Sequence, residues 1–206
     1  MKLKIFNENQ MDVNSYLLIN KKKAILIDPG FNGKDIEFYC KTNGIAIDSV
    51  LLTHGHYDHI RDISFLKDYF DFLIYIHNDD YKFLFDGKLN FSQSFNRNYK
   101  LDKSYKIKKI KDNDKLELID LVISVIHTPG HTPGSSMFHY NNFVFSGDTL
   151  FYDSIGRTDL FSGNFNAIRR SINKIKNHFS NNTIFYPGHG RHGDLNTIKK
   201  VNRFLQ

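Results

Sequence analysis

The stretch Thr53-His54-Gly55-His56-Tyr57-Asp58-His59 decides how this sequence is read. It follows the apolar run Ser49-Val50-Leu51-Leu52 and precedes Ile60, Ile63, Leu66, Tyr69 and Phe70, which recur at helical spacing. A short buried strand therefore delivers the cluster, and a helix over residues 60–70 carries the chain away. His54 and His56 stand two apart, so an extended backbone points both imidazoles to one side. Asp58 and His59 follow where the chain turns into the helix, and they face a neighbouring point. Imidazole and carboxylate are ligands for a borderline ion such as zinc, and this spacing suits two adjacent ions better than one. Gly55 lets the backbone pass close to the ions with no side chain in the way.

Three more apolar strands end on ligand candidates. Residues 121–127 lead into His127-Thr128-Pro129-Gly130-His131-Thr132-Pro133-Gly134-Ser135, a loop stiffened by its two prolines. Phe145-Ser146-Gly147-Asp148-Thr149 closes a strand with a carboxylate, and Tyr186-Pro187-Gly188-His189-Gly190 closes the last strand with an imidazole. Each candidate sits at the C-terminal end of a strand, on the edge that carries His54. That convergence makes the argument; any one of the three alone would be weak.

The remaining pattern fills in around these ends. Residues 2–6, 13–20 and 23–28 read as strands, the last stopped by Asp28-Pro29-Gly30. A helix over 34–43 closes at Asn43-Gly44, a strand spans 72–76, and a short helix spans 79–85. Residues 86–103 lack periodicity and read as a loop. Strands follow at 104–110, 115–118, 121–127, 135–140 and 142–146, with a tight turn at Asn141-Asn142. Asn164 caps a helix over 165–178, residues 183–186 form a last strand, and Asp194 caps a helix over 195–205. Strands and helices thus come in two successive sets without a linker or low-complexity tract, which predicts one α/β domain over residues 1–206.

Composition bounds the function classes. Hydrophobic residues at 40% and aromatics at 15% supply a sizeable core. The net charge of +6 favours anionic partners in general. Many of the basic residues fall in 100–115, however, interspersed with Asp102, Asp112 and Asp114, which reads as a solvated hairpin face. No nucleic-acid partner is expected. Cys40 is the single cysteine, so no intramolecular disulfide forms and a reducing compartment fits. The N-terminal residues show no apolar leader, and no run reaches the roughly 18 apolar residues of a membrane span. The expectation is a cytoplasmic protein that does not engage membranes.

Together these motifs resemble the metallo-β-lactamase superfamily: T-H-x-H-x-D-H at 53–59, H-T-P-G-H-T-P-G-S at 127–135, G-D-T at 147–149 and P-G-H-G at 187–190. Asp28-Pro29-Gly30 matches the D-x-G element that precedes the signature. The resemblance implies a four-layered αβ/βα sandwich with two divalent metal ions, zinc first and iron or manganese as alternatives. It implies that His54, His56 and His131 hold one ion, that Asp58, His59 and His189 hold the other, and that Asp148 bridges them. His127 matches no ligand position and is expected to be structural or to support a ligand. His77, His139, His178 and His192 match none either and read as surface or core residues.

Within the superfamily, Gly147-Asp148-Thr149-Leu150-Phe151 and Gly156-Arg157-Thr158-Asp159 resemble the glyoxalase II-like group, the hydroxyacylglutathione hydrolases, in its short bacterial form. The implied reaction is hydrolysis of a small-molecule thioester or ester. Two cations sharing a water bring its pKa towards neutrality, and the resulting hydroxide attacks the carbonyl. Asp58 is the candidate catalytic group, orienting the nucleophile or taking its proton. Asp28 either holds a ligand histidine in its tautomer or simply forms a turn. Arg157 and Asp159 are expected to pair and shape the loop above the site. Alternative readings are a mononuclear-iron persulfide dioxygenase, which shares the G-R-T-D element, and a nuclease of the same superfamily. The Arg191-His192-Gly193-Asp194 segment departs from the short members, which usually carry Pro and Thr there.

Overall fold

The computed structural model describes residues 1–7, 9 and 11–206. Two six-stranded sheets form its centre. The first contains β1 (Lys2–Phe6), β2 (Ser15–Asn20), β3 (Lys23–Ile27), β4 (Ala46–Leu51), β5 (Leu73–His77) and β6 (Ile107–Ile110), in that spatial order. The second contains β7 (Lys115–Leu118), β8 (Leu121–His127), β9 (Ser136–Tyr140), β10 (Phe143–Gly147), β11 (Ile184–Pro187) and β12 (Gly193–Asp194), again in sequence order.

Alternation along the strands determines how the layers stack. In β2 and β3, Leu17, Ile19, Ala24 and Leu26 face outward, against Ile36 and Cys40 of α1 (Gly33–Asn43) and Ile63 and Leu66 of a short helix at Ile63–Lys67. Their neighbours Tyr16, Leu18, Ile25 and Ile27 face the other way, against Ile123, Val125, Phe138 and Phe145 of the second sheet. The far face of that sheet, with Ile126, Met137, Val144 and Phe185, is covered by Ile168, Ile172 and Ile175 of the helix Phe165–His178 and by Leu195 and Ile198 of Leu195–Val201. Period-two strands with both faces apolar thus generate three cores and four layers, the αβ/βα order.

Most predicted elements appear within a few residues of their expected bounds. Asn164 accepts a hydrogen bond from the Ala167 amide and Asp194 one from the Thr197 amide, so both helices start at the capping residues read from the sequence. Two expectations need correction. The helix over 60–70 is broken into Tyr57–Ile60 (α2) and Ile63–Lys67 (α3). Tertiary bonds interrupt it: the Asp62 amide donates to the Gly30 carbonyl (3.1 Å), and its carboxylate accepts from the Gly33 amide (2.8 Å). The basic run 100–115 is not a hairpin either. β6 is an edge strand of the first sheet, paired in parallel with β5, whereas β7 is an edge strand of the second, so the run crosses between sheets. Among the described residues no helix is long and apolar enough to cross a membrane.

Cys40 is fully buried in α1, and burial, then the nearby Glu37 carboxylate, push its thiol up to about 11. A disulfide-forming thiol reagent at pH 8 is expected to leave the native protein untouched and to label one thiol per chain after denaturation. Stoichiometric labelling of the folded protein would contradict this packing.

Candidate metal centre

Four chain segments meet at the C-terminal ends of the strands. The turn after β4 brings His54 and His56, and α2 carries Asp58 and His59. The β8–β9 loop brings His131, the end of β10 brings Asp148, and the end of β11 brings His189. All seven candidate ligands therefore converge. Three overlapping groups have ligand atoms close enough to share an ion: His54, His56 and His131; His54, His59 and Asp148; and Asp58, His59 and His189. The distances show a continuous cluster. His56 Nδ1 lies 2.9 Å from His131 Nε2, and His131 Nε2 lies 3.5 Å from Asp148 Oδ2. His59 Nε2 is 3.4 Å from Asp148 Oδ1, and His189 Nε2 is 3.3 Å from Asp58 Oδ2 and 3.7 Å from Asp148 Oδ2. Asp148 thus stands between the two halves.

Whether these residues suit metal ions can be tested on the polar atoms themselves. His54 Nε2, His59 Nε2 and Asp148 Oδ1 are buried and have no hydrogen-bond partner among the described residues. Leaving such atoms unpaired costs about 1–3 kcal/mol each, so three in one spot are an anomaly that a cation resolves. The protonation states of His54, His56, Asp58 and Asp148 agree with a ligand role. Against the effect of burial, the carboxylates around His59 and His189 raise both imidazoles, which must give up protons to an ion. Burial, followed by the neighbouring imidazoles, depresses His54 well below its usual range and takes His56 to about 3, so both are neutral. Burial raises Asp58, but His59 and the hydrogen bond from His189 outweigh it and leave the carboxyl at about 2. Asp148 is likewise held well below the carboxylate range, burial being outweighed by His59. The donor set fits two divalent ions.

Several groups aim the ligands. Asp28 Oδ1 accepts from the Thr53 amide (2.8 Å), and Oδ2 accepts from the Thr53 hydroxyl (2.6 Å) and from His59 Nδ1 (2.9 Å). Asp28 also sits at φ 48°, so it forms the turn and orients His59 at once. His131 Nδ1 donates to the Arg157 carbonyl (2.9 Å) and His189 Nδ1 to the Asp12 carbonyl (3.1 Å). The Arg157 side chain pairs with Asp159 in a two-pronged contact (2.8 and 2.7 Å), as expected, while its backbone positions a ligand.

Sequence reasoning missed a second brace. Asp80, fully buried, accepts from the Gly55 amide (2.9 Å), the Thr132 hydroxyl (2.7 Å) and the Gly134 amide (2.7 Å), tying the His54-His56 turn to the His131 loop. At Gly55 the structure shows a packing reason for glycine: a Cβ there would collide with Phe83 of the 3-10 turn Asn78–Phe85. Gly188 holds the place next to the ligands, where a Cβ would overlap Asp148 Oδ1.

The cluster floors a cavity of about 380 Å³ walled by Phe91, Phe95, Phe151, Ile155 and Leu160, with Arg157 alongside. Phe91 and Phe95 come from the stretch 86–103, which holds a 3-10 turn at Ser92–Phe95. His127 joins none of the three groups.

The chain matches the profile of the metallo-beta-lactamase superfamily over residues 9–189. It belongs to that superfamily. A probable metallo-hydrolase of Bacillus subtilis, YqgX, is 32% identical over 95% of this chain and 93% of its own length. The hydroxyacylglutathione hydrolase GloC of Haemophilus influenzae is 30% identical over 90% of this chain and 89% of its own. The crystal structure of the B3 metallo-beta-lactamase BLEG-1 superposes with a TM-score of 0.92 at 33% identity and covers both chains fully. Membership in the superfamily agrees with the fold and with the His/Asp cluster found here.

If Asp28 orients His59 as well as turning the chain, Asp28→Asn, which tolerates the same φ, is expected to weaken metal binding by about 10–100-fold. Titration with a competing chelator measures this; unchanged affinity would reduce Asp28 to its turn.

Proposed function

We propose that this protein is a dinuclear metal-dependent hydrolase of small thioesters of the hydroxyacylglutathione class. The observation that carries the reading is the cluster of seven ligand-type side chains, of which His56, Asp58, His131, Asp148 and His189 line an aromatic-walled cavity. His54, His56 and His131 would hold one ion and Asp58, His59 and His189 the other, with Asp148 between them. Bound there, the ions would supply a Lewis-acidic contact for a carbonyl oxygen and a water acidified towards neutral pH, with zinc the first choice for this donor set.

The chain's own residues contribute the rest. Asp58 lines the cavity as a carboxylate, placed to orient the attacking water and to take its proton. His56 and His54 stay neutral and cannot protonate a leaving group. A thiolate needs little such help, because the thiol pKa of about 8.5 makes it a good leaving group. Phe91, Phe95 and Phe151 exclude bulk water and accept an acyl chain, within the volume range of small-molecule sites. The likeness to GloC supports the substrate class, and the cavity's mainly apolar wall speaks against a nucleic-acid substrate.

The test is a substrate panel on metal-loaded protein: lactoyl-glutathione, an acyl-coenzyme A, a cephalosporin, RNA and glutathione persulfide with oxygen uptake. Thioester turnover well above the rest is expected. Preferred opening of the cephalosporin, the reading that the BLEG-1 likeness supports, would replace the thioester proposal. Oxygen consumption on the persulfide by protein with one iron per chain would replace it with the dioxygenase.

A further inference from the structure

The stretch 86–103 supplies a cavity residue that its own backbone does not favour. Phe91 sits at φ 66° and ψ 8°, in the left-handed region, immediately before the 3-10 turn Ser92–Phe95. Glycine and asparagine adopt that conformation readily, whereas a bulky aromatic residue is held there against its preference. The residue before it provides the hold. Asn90, fully buried, donates from its side-chain amide to the Phe83 and Tyr99 carbonyls (both 2.9 Å), and its Oδ1 accepts from the Ser92 amide (3.0 Å). The Asn90 carbonyl accepts from the Tyr57 amide (2.8 Å), which fastens the segment to the chain between His56 and Asp58.

Core packing does not account for the ring. Phe91 is partly buried but joins none of the three hydrophobic cores. Its side chain lines the cavity instead, with the ring centroid 6.4 Å from that of His56 and 6.3 Å from that of Phe95.

We propose that Phe91 selects the acyl group of the substrate, favouring a 2-hydroxyacyl thioester with an apolar, aryl-sized substituent on the α-carbon over one with a methyl group. The assignment rests on the thioester reading above and narrows it. Backbone strain persists where the surroundings over-determine it, and it concentrates at sites that need the strained side chain. The position of the ring identifies what it meets. Phe91 stands beside the ligand His56, so a group against it lies close to the reacting carbonyl. An aryl ring there gains apolar burial and edge-to-face contact with Phe91 and Phe95. The thiol carrier fits this wall poorly. Glutathione is polar and charged, and the Arg157 guanidinium alongside is already paired with Asp159.

The test measures kcat/KM for lactoyl and mandeloyl thioesters, each on glutathione and on N-acetylcysteamine, relative to the hydroxide hydrolysis of the same compound. Wild type is expected to prefer mandeloyl by about tenfold or more on both thiols. Phe91→Asn tolerates the same φ and lacks the ring, so it should bring that preference to about threefold or less, while Phe91→Leu keeps part of it. Both variants should hold as much metal as wild type, with Tm within about 3 °C. Calorimetric titration of the product acids reads the same selectivity without turnover. Mandelate should bind metal-loaded wild type about tenfold more tightly than lactate does, and Phe91→Asn should erase the difference. Equal acyl preference in wild type and Phe91→Asn would overturn the proposal, as would a preference that changes with the thiol and not with the acyl group. A Tm loss of about 8 °C or more with the acyl preference intact would make Phe91 a packing residue and overturn it too. Absence of all thioester turnover with mandelate selectivity intact would refute the reaction and leave the aryl-sized pocket standing; turnover without selectivity would refute this assignment alone.

Discussion

Replacing Asp148 by alanine is expected to lower thioester hydrolysis about a thousandfold or more and to cut the metal held by the central cluster from two ions to at most one. Asp148 is the group common to both halves: Oδ2 lies 3.5 Å from His131 Nε2 and 3.7 Å from His189 Nε2, while Oδ1 lies 3.4 Å from His59 Nε2. Removing it leaves histidines that no longer share an anion, and two cations at close range without a negative group between them repel strongly. A thousandfold loss corresponds to about 4 kcal/mol of transition-state stabilisation, the scale on which metal Lewis acids act. Steady-state kinetics with metal analysis of the same preparation measure both quantities. A variant with two ions in the cluster and tenfold or smaller loss would show that Asp148 is not the bridge.

Stripping the metals should have the largest effect on stability. Ions that bind the folded chain alone at about a thousand times their Kd add about 4 kcal/mol, which for a chain of this size moves Tm by roughly 8–16 °C. The gap between loaded and stripped protein should also depend on pH. His59 is raised well above its ordinary value: burial lowers it, but Asp148, Asp58 and Asp28 outweigh that. A raised folded-state pKa stabilises the stripped protein below the unfolded value, and that contribution fades as pH rises through the folded one. Metal binding, in contrast, requires His59 and His189, whose own value the Asp58 hydrogen bond raises against burial, to lose their protons, so it strengthens as pH rises. The Tm difference should therefore widen as pH rises through neutrality; a difference that narrows would contradict these assignments.

The sequence reveals much of this because the ligand-bearing segments are local. His54, His56, Asp58 and His59 fall in one short stretch of the chain, and each remote ligand follows an apolar strand whose end is marked by Gly or Pro. The caps at Asn164 and Asp194 are equally local, since the side chain meets an amide three residues on. What stayed hidden depends on partners distant in the chain. The break in the helix at Asp62 needs Gly30 and Gly33, and the crossing of 100–115 between sheets needs β5 as a neighbour. Asp80 looks like an ordinary charge until Gly55, Thr132 and Gly134 surround it, and burial then raises its carboxyl to about 6 despite those donors. Phe91 and Phe95 lie in a segment without periodicity, so nothing in the pattern marks them as cavity walls. The stacking of His77 on His127 joins two strand ends 50 residues apart and has no sequence signal.

Anomalous diffraction from crystals grown with zinc, collected on both sides of the metal edge, counts and locates the ions in the cluster. Two peaks are expected in the cluster, one among His54, His56 and His131 and one among Asp58, His59 and His189, both beside Asp148. A single peak, or none within reach of these seven side chains, would contradict the dinuclear centre on which the proposed reaction rests.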